Sequence, residues 1–229
     1  MTLPLLTTPQ YEIEVPSTKQ KIKFRPFLVK EEKILLTAQE SGEVPDQVMA
    51  VKQILNNCIF DEIDVEKLSY FDFEYIYLNI RAQSVSNVLE FKYTHTCGTE
   101  KDIAIDLNDI KVKEFEGHEK NIMLNDDIGV KMCYPNISNL KLFDVIDDAS
   151  TYDILQKSIE LVYDKETVYE DFTEQEMHSF IDSMNKKQIE KLSNFFQTMP
   201  RLEHDIEYKC KGCKEDVKFT LRGLNDFFI

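Results

Sequence analysis

The segment Cys210-Lys211-Gly212-Cys213 has residue types and a spacing that could do chemistry. Two thiols flanking a Lys-Gly pair can share one side of a tight loop, as a zinc knuckle requires. A tetrahedral zinc needs two further donors. Their best source is the turn Thr94-His95-Thr96-Cys97-Gly98, which has a similar layout, with an aromatic strand before it and an alternating strand after it. The predicted ligand set is therefore His95, Cys97, Cys210 and Cys213, drawn from turns far apart in the chain. Thr94 stands where a second Cys of the first turn belongs, and His95-x-Cys97 is a spacing from which the imidazole reaches only if the turn rearranges. Such a site would staple two β pieces together and contribute folding free energy directly. The competing reading is a knuckle with free thiols. A thioredoxin-like redox motif fits less well, because that motif opens a helix after a strand, whereas the pattern after Cys213 is that of a strand.

Other polar groups do not assemble into a site. His118 sits in a charged stretch, His178 lies between Met177 and Phe180 on a helix, and His204 follows Glu203. Asp126-Asp127 and Asp147-Asp148 are adjacent pairs that suit caps and solvated faces better than an acid/base couple. Six glycines in 229 residues leave little for a phosphate cradle, and no nucleophile elbow or metalloprotease motif is present. The expectation is a protein that is not an enzyme.

The elements that must position the two turns follow from periodicity. Ile22 and Phe24, then Phe27-Leu28-Val29, form a strand-like run around Pro26. Three amphipathic helices follow, the second opened by Pro45 and the third beginning after Ser69, with Asp72 as its capping candidate. At Val88 the period changes to two, and Ile103, Ile105 and Leu107 alternate with Asp102, Ala104 and Asp106, which predicts a hairpin. Ile128, Val130 and Met132 give another strand. Helical spacing returns at Leu140, Phe143, Val145 and Ile146, continues through Tyr152, Leu155, Ile159 and Val162, and resumes after the capping box at Thr173 and Glu176. A last helix runs from Lys186 to Met199, and the C-terminal hairpin carries the Cys-x-x-Cys turn.

The predicted fold class is α+β, with helical regions around antiparallel β-hairpins and a zinc-ribbon-like pair of knuckles. An arm over 1–12 is expected to precede one composite domain over 13–229. Within it, 29–84 and 138–199 are helical, 86–107 is a hairpin, 121–134 is β, and 202–222 is the C-terminal hairpin. The hairpins should meet in space, since each alone would be marginal.

Composition narrows the class of function. With 42 acidic against 27 basic residues the formal charge is −15, and a field of that sign repels phosphate backbones. The first residues are apolar but short, without a basic lead and broken by Pro4 and Pro9, so no secretory leader is expected. No run is long enough to span a bilayer. The expected setting is a cytoplasm in which the five cysteines stay reduced, with Cys58 and Cys133 as small buried apolar side chains.

Three stretches, in order, resemble a known family. Phe24-Arg25-Pro26-Phe27-Leu28-Val29-Lys30-Glu31-Glu32-Lys33 is similar to the opening of the baseplate hub and hub-assembly proteins of T4-like phage tails. The Cys97-Gly98 hairpin resembles that family's first knuckle. Tyr208 to Cys213, with Leu221-Arg222-Gly223-Leu224-Asn225-Asp226-Phe227-Phe228, resembles its second knuckle and aromatic tail. The resemblance implies a myovirus tail protein needed to build the baseplate hub, either a virion component or an assembly chaperone, present in the host cytoplasm during assembly. Implied partners are tail and hub proteins, with the tape measure protein among the candidates, and not nucleic acid.

An apolar arm and an apolar tail suit protein–protein contact, and Leu224, Phe227 and Phe228 are the expected contact residues. The alternative is that Phe227 and Phe228 plug the protein's own core. The runner-up function is a zinc-ribbon nucleic-acid or transcription-associated module, for which Lys209, Lys211, Lys214, Lys218 and Arg222 would form the basic face.

Overall fold

The structure is a computed structural model and describes residues 6–138 and 148–227. Leu140, Phe143, Val145 and Ile146, expected on a helix, lie outside the described residues, as do Phe228 and the side chain of Leu224.

The elements run β1 (Tyr11–Glu14), β2 (Lys21–Phe24), α1 (Val29–Ser41), α2 (Val44–Cys58), α3 (Tyr70–Ser84), β3 (Val88–Thr94) and β4 (Glu100–Asp106). Next come β5 (Val112–Lys113), β6 (Asn121–Met123), β7 (Gly129–Met132), α4 (Asp148–Lys157), β8 (Ile159–Tyr163) and β9 (Val168–Tyr169). The chain continues through α5 (Glu174–Asp182), α6 (Lys186–Thr198), β10 (Arg201–Lys209), β11 (Asp216–Arg222) and α7 (Gly223–Phe227). The fold is mixed α+β, with every strand pair of known register antiparallel.

Where the sequence suggests one composite domain over 13–229, the chain divides into two compact units. The first comprises Met1–Val65, Phe71–Lys113 and Leu202–Ile229, and the second Glu66–Tyr70 and Glu114–Arg201. The physical reason is that each has its own apolar cluster. Leu78, Leu89, Ile103, Ile105, Ile206 and Leu221 belong to one, and Val130, Met132, Leu155, Ile159, Leu192 and Phe195 to the other.

In the first unit β1 pairs with β2, matching Tyr11 to Phe24 and Glu14 to Lys21. Tyr11 and Glu12, expected in a loose arm, are thus strand residues, and Tyr11 stacks on Phe24 at 5.6 Å. Arg25 then reaches forward and donates to the Glu31 carboxylate at 3.1 Å and to the Asn57 carbonyl at 3.0 Å. Glu31 is fully buried and accepts the Leu28 N–H at 2.8 Å, closing the first turn of α1. One ion pair therefore ties β2, α1 and the end of α2 together. It gives a physical reason for both Arg25 and Glu31 in that stretch. Helix α3 buries Phe71, Phe73, Ile76, Tyr77, Leu78 and Ile80, which is wider than the single stripe expected, and such a helix is a central one. Its Asp72 accepts from the Ser17 N–H at 2.9 Å.

The second unit is built on a four-stranded sheet in the order β6-β7-β8-β9. Ile159 and Val162, expected on a helix, lie in β8, where Met132 pairs with Ile159 and Val130 with Val162. The run Ile159-Glu160-Leu161-Val162-Tyr163 satisfies both periods, since 159 and 162 suit a helix while 159, 161 and 163 suit a strand. α4 ends at Lys157, and the Ser158 carbonyl accepts the Cys133 N–H at 2.8 Å, which begins the pairing with the β7 side of the sheet. Helix α5 begins with the expected box, Thr173 and Glu176 capping each other. Helix α6 has a second box, Asn185 with Gln188, that the periodicity alone did not signal. His118 is an internal strut, its ring nitrogens 3.0 Å from the Thr198 and Tyr134 hydroxyls, with the Phe195 ring at 4.9 Å.

Candidate metal centre

The two hairpins that carry the cysteine turns both belong to the first unit. β3 pairs with β4 from Val88↔Asp106 to Thr94↔Glu100, leaving residues 95–99 as the turn. β10 pairs with β11 from Glu203↔Arg222 to Lys209↔Asp216, leaving 210–215 as the other. The hairpins share one apolar layer, in which Leu89, Ile103 and Ile105 pack with Leu202, Ile206 and Leu221. Near the turns that layer becomes aromatic. The Tyr93 and Phe219 rings are stacked at 4.3 Å with planes 9° apart, and the Lys101 ammonium lies 3.8 Å from the Tyr208 ring. This packing fixes the separation of the turns.

Across that separation the four predicted residues converge. The ligand atoms of His95, Cys97, Cys210 and Cys213 all lie within 4.8 Å of one another. Cys97 Sγ is 3.2 Å from His95 Nδ1 and 3.6 Å from Cys210 Sγ, and Cys213 Sγ is 3.6 Å from His95 Nδ1. A tetrahedral zinc, with bonds of ~2.3 Å to sulfur and ~2.0 Å to nitrogen, spaces its donors ~3.8 Å (S–S) and ~3.5 Å (S–N) apart. Three thiols and one imidazole of these dimensions fit a structural zinc.

His95 reaches the cluster without the rearrangement that its spacing suggested. Thr94 ends β3 opposite Glu100, and His95 is the first turn residue, its N–H bonded to the Thr99 carbonyl at 3.0 Å. The imidazole therefore takes the corner that Thr94 does not supply.

Gly212 has a role different from a special backbone angle. A Cβ there would run into the Thr99 side chain of the other turn and come to 3.6 Å from Cys97 Sγ. Glycine permits the two loops to approach, while the left-handed conformation of this turn falls on Lys214, at φ 67°.

The thiols perturb one another. Hydrogen bonds from the Thr99 hydroxyl, then from His95 and the Thr99 backbone, hold the Cys97 thiol down at about 5. The Cys97 bond in turn holds the His95 imidazolium above its ordinary range. For Cys213 the Glu215 N–H favours the thiolate, but burial and the bonds from Cys210 and Cys97 outweigh it and push the group up to about 11. The Cys213 backbone N–H holds the Cys210 thiol below its ordinary range as well, so the resistance falls on the third thiol, as expected of like charges sharing a site. A dication between the sulfurs would remove that resistance. Of the other cysteines, Cys58 is buried, with its thiol pushed up to about 11 by burial, and Cys133 is only half-buried.

The tail is differently disposed from the expectation of an exposed contact. Phe227 is 1% exposed and packs in the same layer as the hairpins. Arg222 N–H caps the short α7 by donating to Asp226 at 2.7 Å. Two of the five basic residues expected to form a face around Cys210 are paired with acids. Lys218 pairs with Glu207 at 2.6 Å, and Arg222 with Glu203 at 3.2 Å.

A family model described as T4 bacteriophage base plate protein matches residues 8–229. The chain belongs to the T4 base plate protein family. Neither the curated proteins nor the solved structures gave a match. Membership makes this a structural, non-catalytic phage baseplate component that works through contacts with other baseplate and hub proteins. The match spans both cysteine turns and the Arg25–Glu31 segment, so the metal-like cluster and the ion pair lie in the family's own stretch of sequence. Among the described residues no helix is long and apolar enough to cross a membrane.

Proposed function

We propose that this base plate protein is a hub component or hub assembly factor, whose docking body is the pair of β-hairpins joined by a structural zinc on His95, Cys97, Cys210 and Cys213. The convergence of those four ligand atoms within 4.8 Å, from turns far apart in the chain, carries the reading. Bound there, zinc would supply no reaction, only a cross-link that holds two marginal hairpins as one rigid surface. The chain's own residues do the rest, with Tyr93, Tyr208 and Phe219 spacing the turns and Gly212 letting them close. The partners are tail and hub proteins, the tape measure protein being one candidate. The setting is the host cytoplasm during assembly, with the baseplate as the destination.

Two measurements test this. Mass spectrometry of purified tails against assembly intermediates should find the chain in one or both, and absence from both would end the hub reading. Metal analysis of the purified protein should give about one zinc per chain. A stoichiometry below about a tenth would remove the staple while leaving the family assignment untouched.

A further inference from the structure

The second unit contains a cleft of about 370 Å³ that the family assignment does not account for. It opens where β8 and the edge strand β9 meet α5. Ile128, Val162, Met177 and Phe180 make the apolar interior, and Tyr163, Tyr169 and Phe172 add aromatic walls. Tyr169 is 47% exposed, so its ring stands at the mouth. The remaining polar lining is acidic, with Asp164, Asp171 and Glu176 present and no basic side chain among the lining residues.

Two of these carboxylates are fixed in place by the fold. Asp164 Oδ1 accepts the N–H groups of Glu166 and Thr167 at 2.9 and 2.8 Å, and its Oδ2 accepts the Tyr169 hydroxyl at 3.0 Å. Glu176 Oε2 accepts the Thr173 N–H and hydroxyl at 2.7 and 2.8 Å. These bonds hold both groups below the ordinary carboxylate range, so they stay charged near neutrality. The nearest candidate counter-ion in sequence, Lys165, is paired with Asp127. In a chain of formal charge −15 the mouth of the cleft is therefore a fixed negative field over apolar and aromatic walls.

Few occupants satisfy both halves. A hydrated metal ion gains nothing from the apolar interior, and a neutral apolar group gains nothing from the rim. A long cationic side chain does both, laying its methylenes on the floor and its charge against the rings and carboxylates. We propose that this cleft is a docking site for a single Lys or Arg side chain of a partner protein, taken between the aromatic walls and the Asp164, Asp171 and Glu176 rim. That the side chain arrives on a protein rests on the assembly role proposed above. β9, as a sheet edge, can additionally accept an extended segment carrying it.

The test uses the full chain, 15N-labelled, and the pentapeptide acetyl-Gly-Gly-Arg-Gly-Gly-amide, with versions bearing Lys or norleucine at the centre. Arg and Lys peptides should shift the amides of Tyr169, Phe172 and Phe180 saturably, and norleucine should bind at least about fivefold more weakly. The double variant D171N/E176Q keeps the capping box, because Gln serves at that position. It should weaken the Arg peptide about tenfold, the loss expected from two unit charges at ~6 Å in water, and leave norleucine unchanged. Equal binding of norleucine and Arg, an unaffected double variant, or no shifts with any peptide would each overturn the site. The outcome is separable from the hub reading. Peptide binding by a chain absent from tails and intermediates would remove that reading and leave the cleft standing.

Discussion

Replacing Arg25 by methionine removes a charge from a place where the fold has made no other complete provision for it. Glu31 has no exposed side-chain surface, and its partners are Arg25 at 3.1 Å, Lys30 at 3.3 Å and the Leu28 N–H at 2.8 Å. The Arg25 side chain is 12% exposed and Lys30 69%, so only Arg25 makes a desolvated pair with the carboxylate. Breaking such a pair from one side costs about 3–5 kcal/mol, and the residual Lys30 contact places R25M near the lower end, about 3 kcal/mol. The double variant R25M/E31Q leaves no buried charge and keeps the Leu28 cap, so it should lose only about 1 kcal/mol. Acidity gives an independent handle. Burial alone would raise the Glu31 pKa, but the Arg25 hydrogen bond, the Leu28 N–H and the Arg25 charge bring it below the ordinary value. The stabilisation is therefore present above the unfolded carboxylate's pKa, near ~4.3, and fades as pH falls through the lower folded value. The gap between parent and R25M should narrow between pH 6 and pH 3. Urea melts, with hydrogen exchange of the α1 amides to localise the effect, measure both. A cost for R25M below about 1 kcal/mol, or a double variant as unstable as the single one, would refute the reasoning.

Three further outcomes follow from the packing. Gly129 faces Tyr163 across β7 and β8, and a Cβ there would run into the ring, so G129A should cost about 1–3 kcal/mol by urea melt, with G129A/Y163T recovering part of it. A zinc chelator should lower the melting temperature, and competition with a chromophoric chelator should show affinity falling with pH as thiols and imidazole take up protons; G212A should weaken it about tenfold through the clash with Thr99. F227A should cost about 3–5 kcal/mol, and deleting 224–229 should lower the melting temperature. A deletion that lost partner binding at an unchanged melting temperature would contradict the buried placement of Phe227.

Much of this was legible from residue pattern. The ligand set could be read because thiols are few and knuckle turns have a recognisable layout, and the hairpins because Ile103, Ile105 and Leu107 alternate cleanly. Helix α5 announced itself through Thr173 and Glu176. What stayed hidden was tertiary. Ile159 and Val162 fit either period until β7 paired with them, and the reach of His95 depended on a turn geometry that spacing does not encode. The division into two units was hidden because both halves are patterned alike, and only the separate apolar clusters distinguish them. The cleft beside α5 had no local signal either, since its carboxylates come from the turn after β8, the segment after β9, and α5.

The order in which the segments leave the ribosome has a consequence for how this protein comes into being. The first unit is interrupted, because Phe71–Lys113 must wait for Leu202–Ile229 while nearly all of the second unit is synthesised in between. During that interval the β3–β4 hairpin lacks the β10 and β11 residues that complete its apolar layer, and His95 and Cys97 lack the two other cysteines of the cluster. The inserted unit can mature during translation, whereas the cysteine-bearing body closes only once β10 and β11 have emerged. A message truncated within β10 or β11 would therefore yield a product with one finished half and one that cannot be completed.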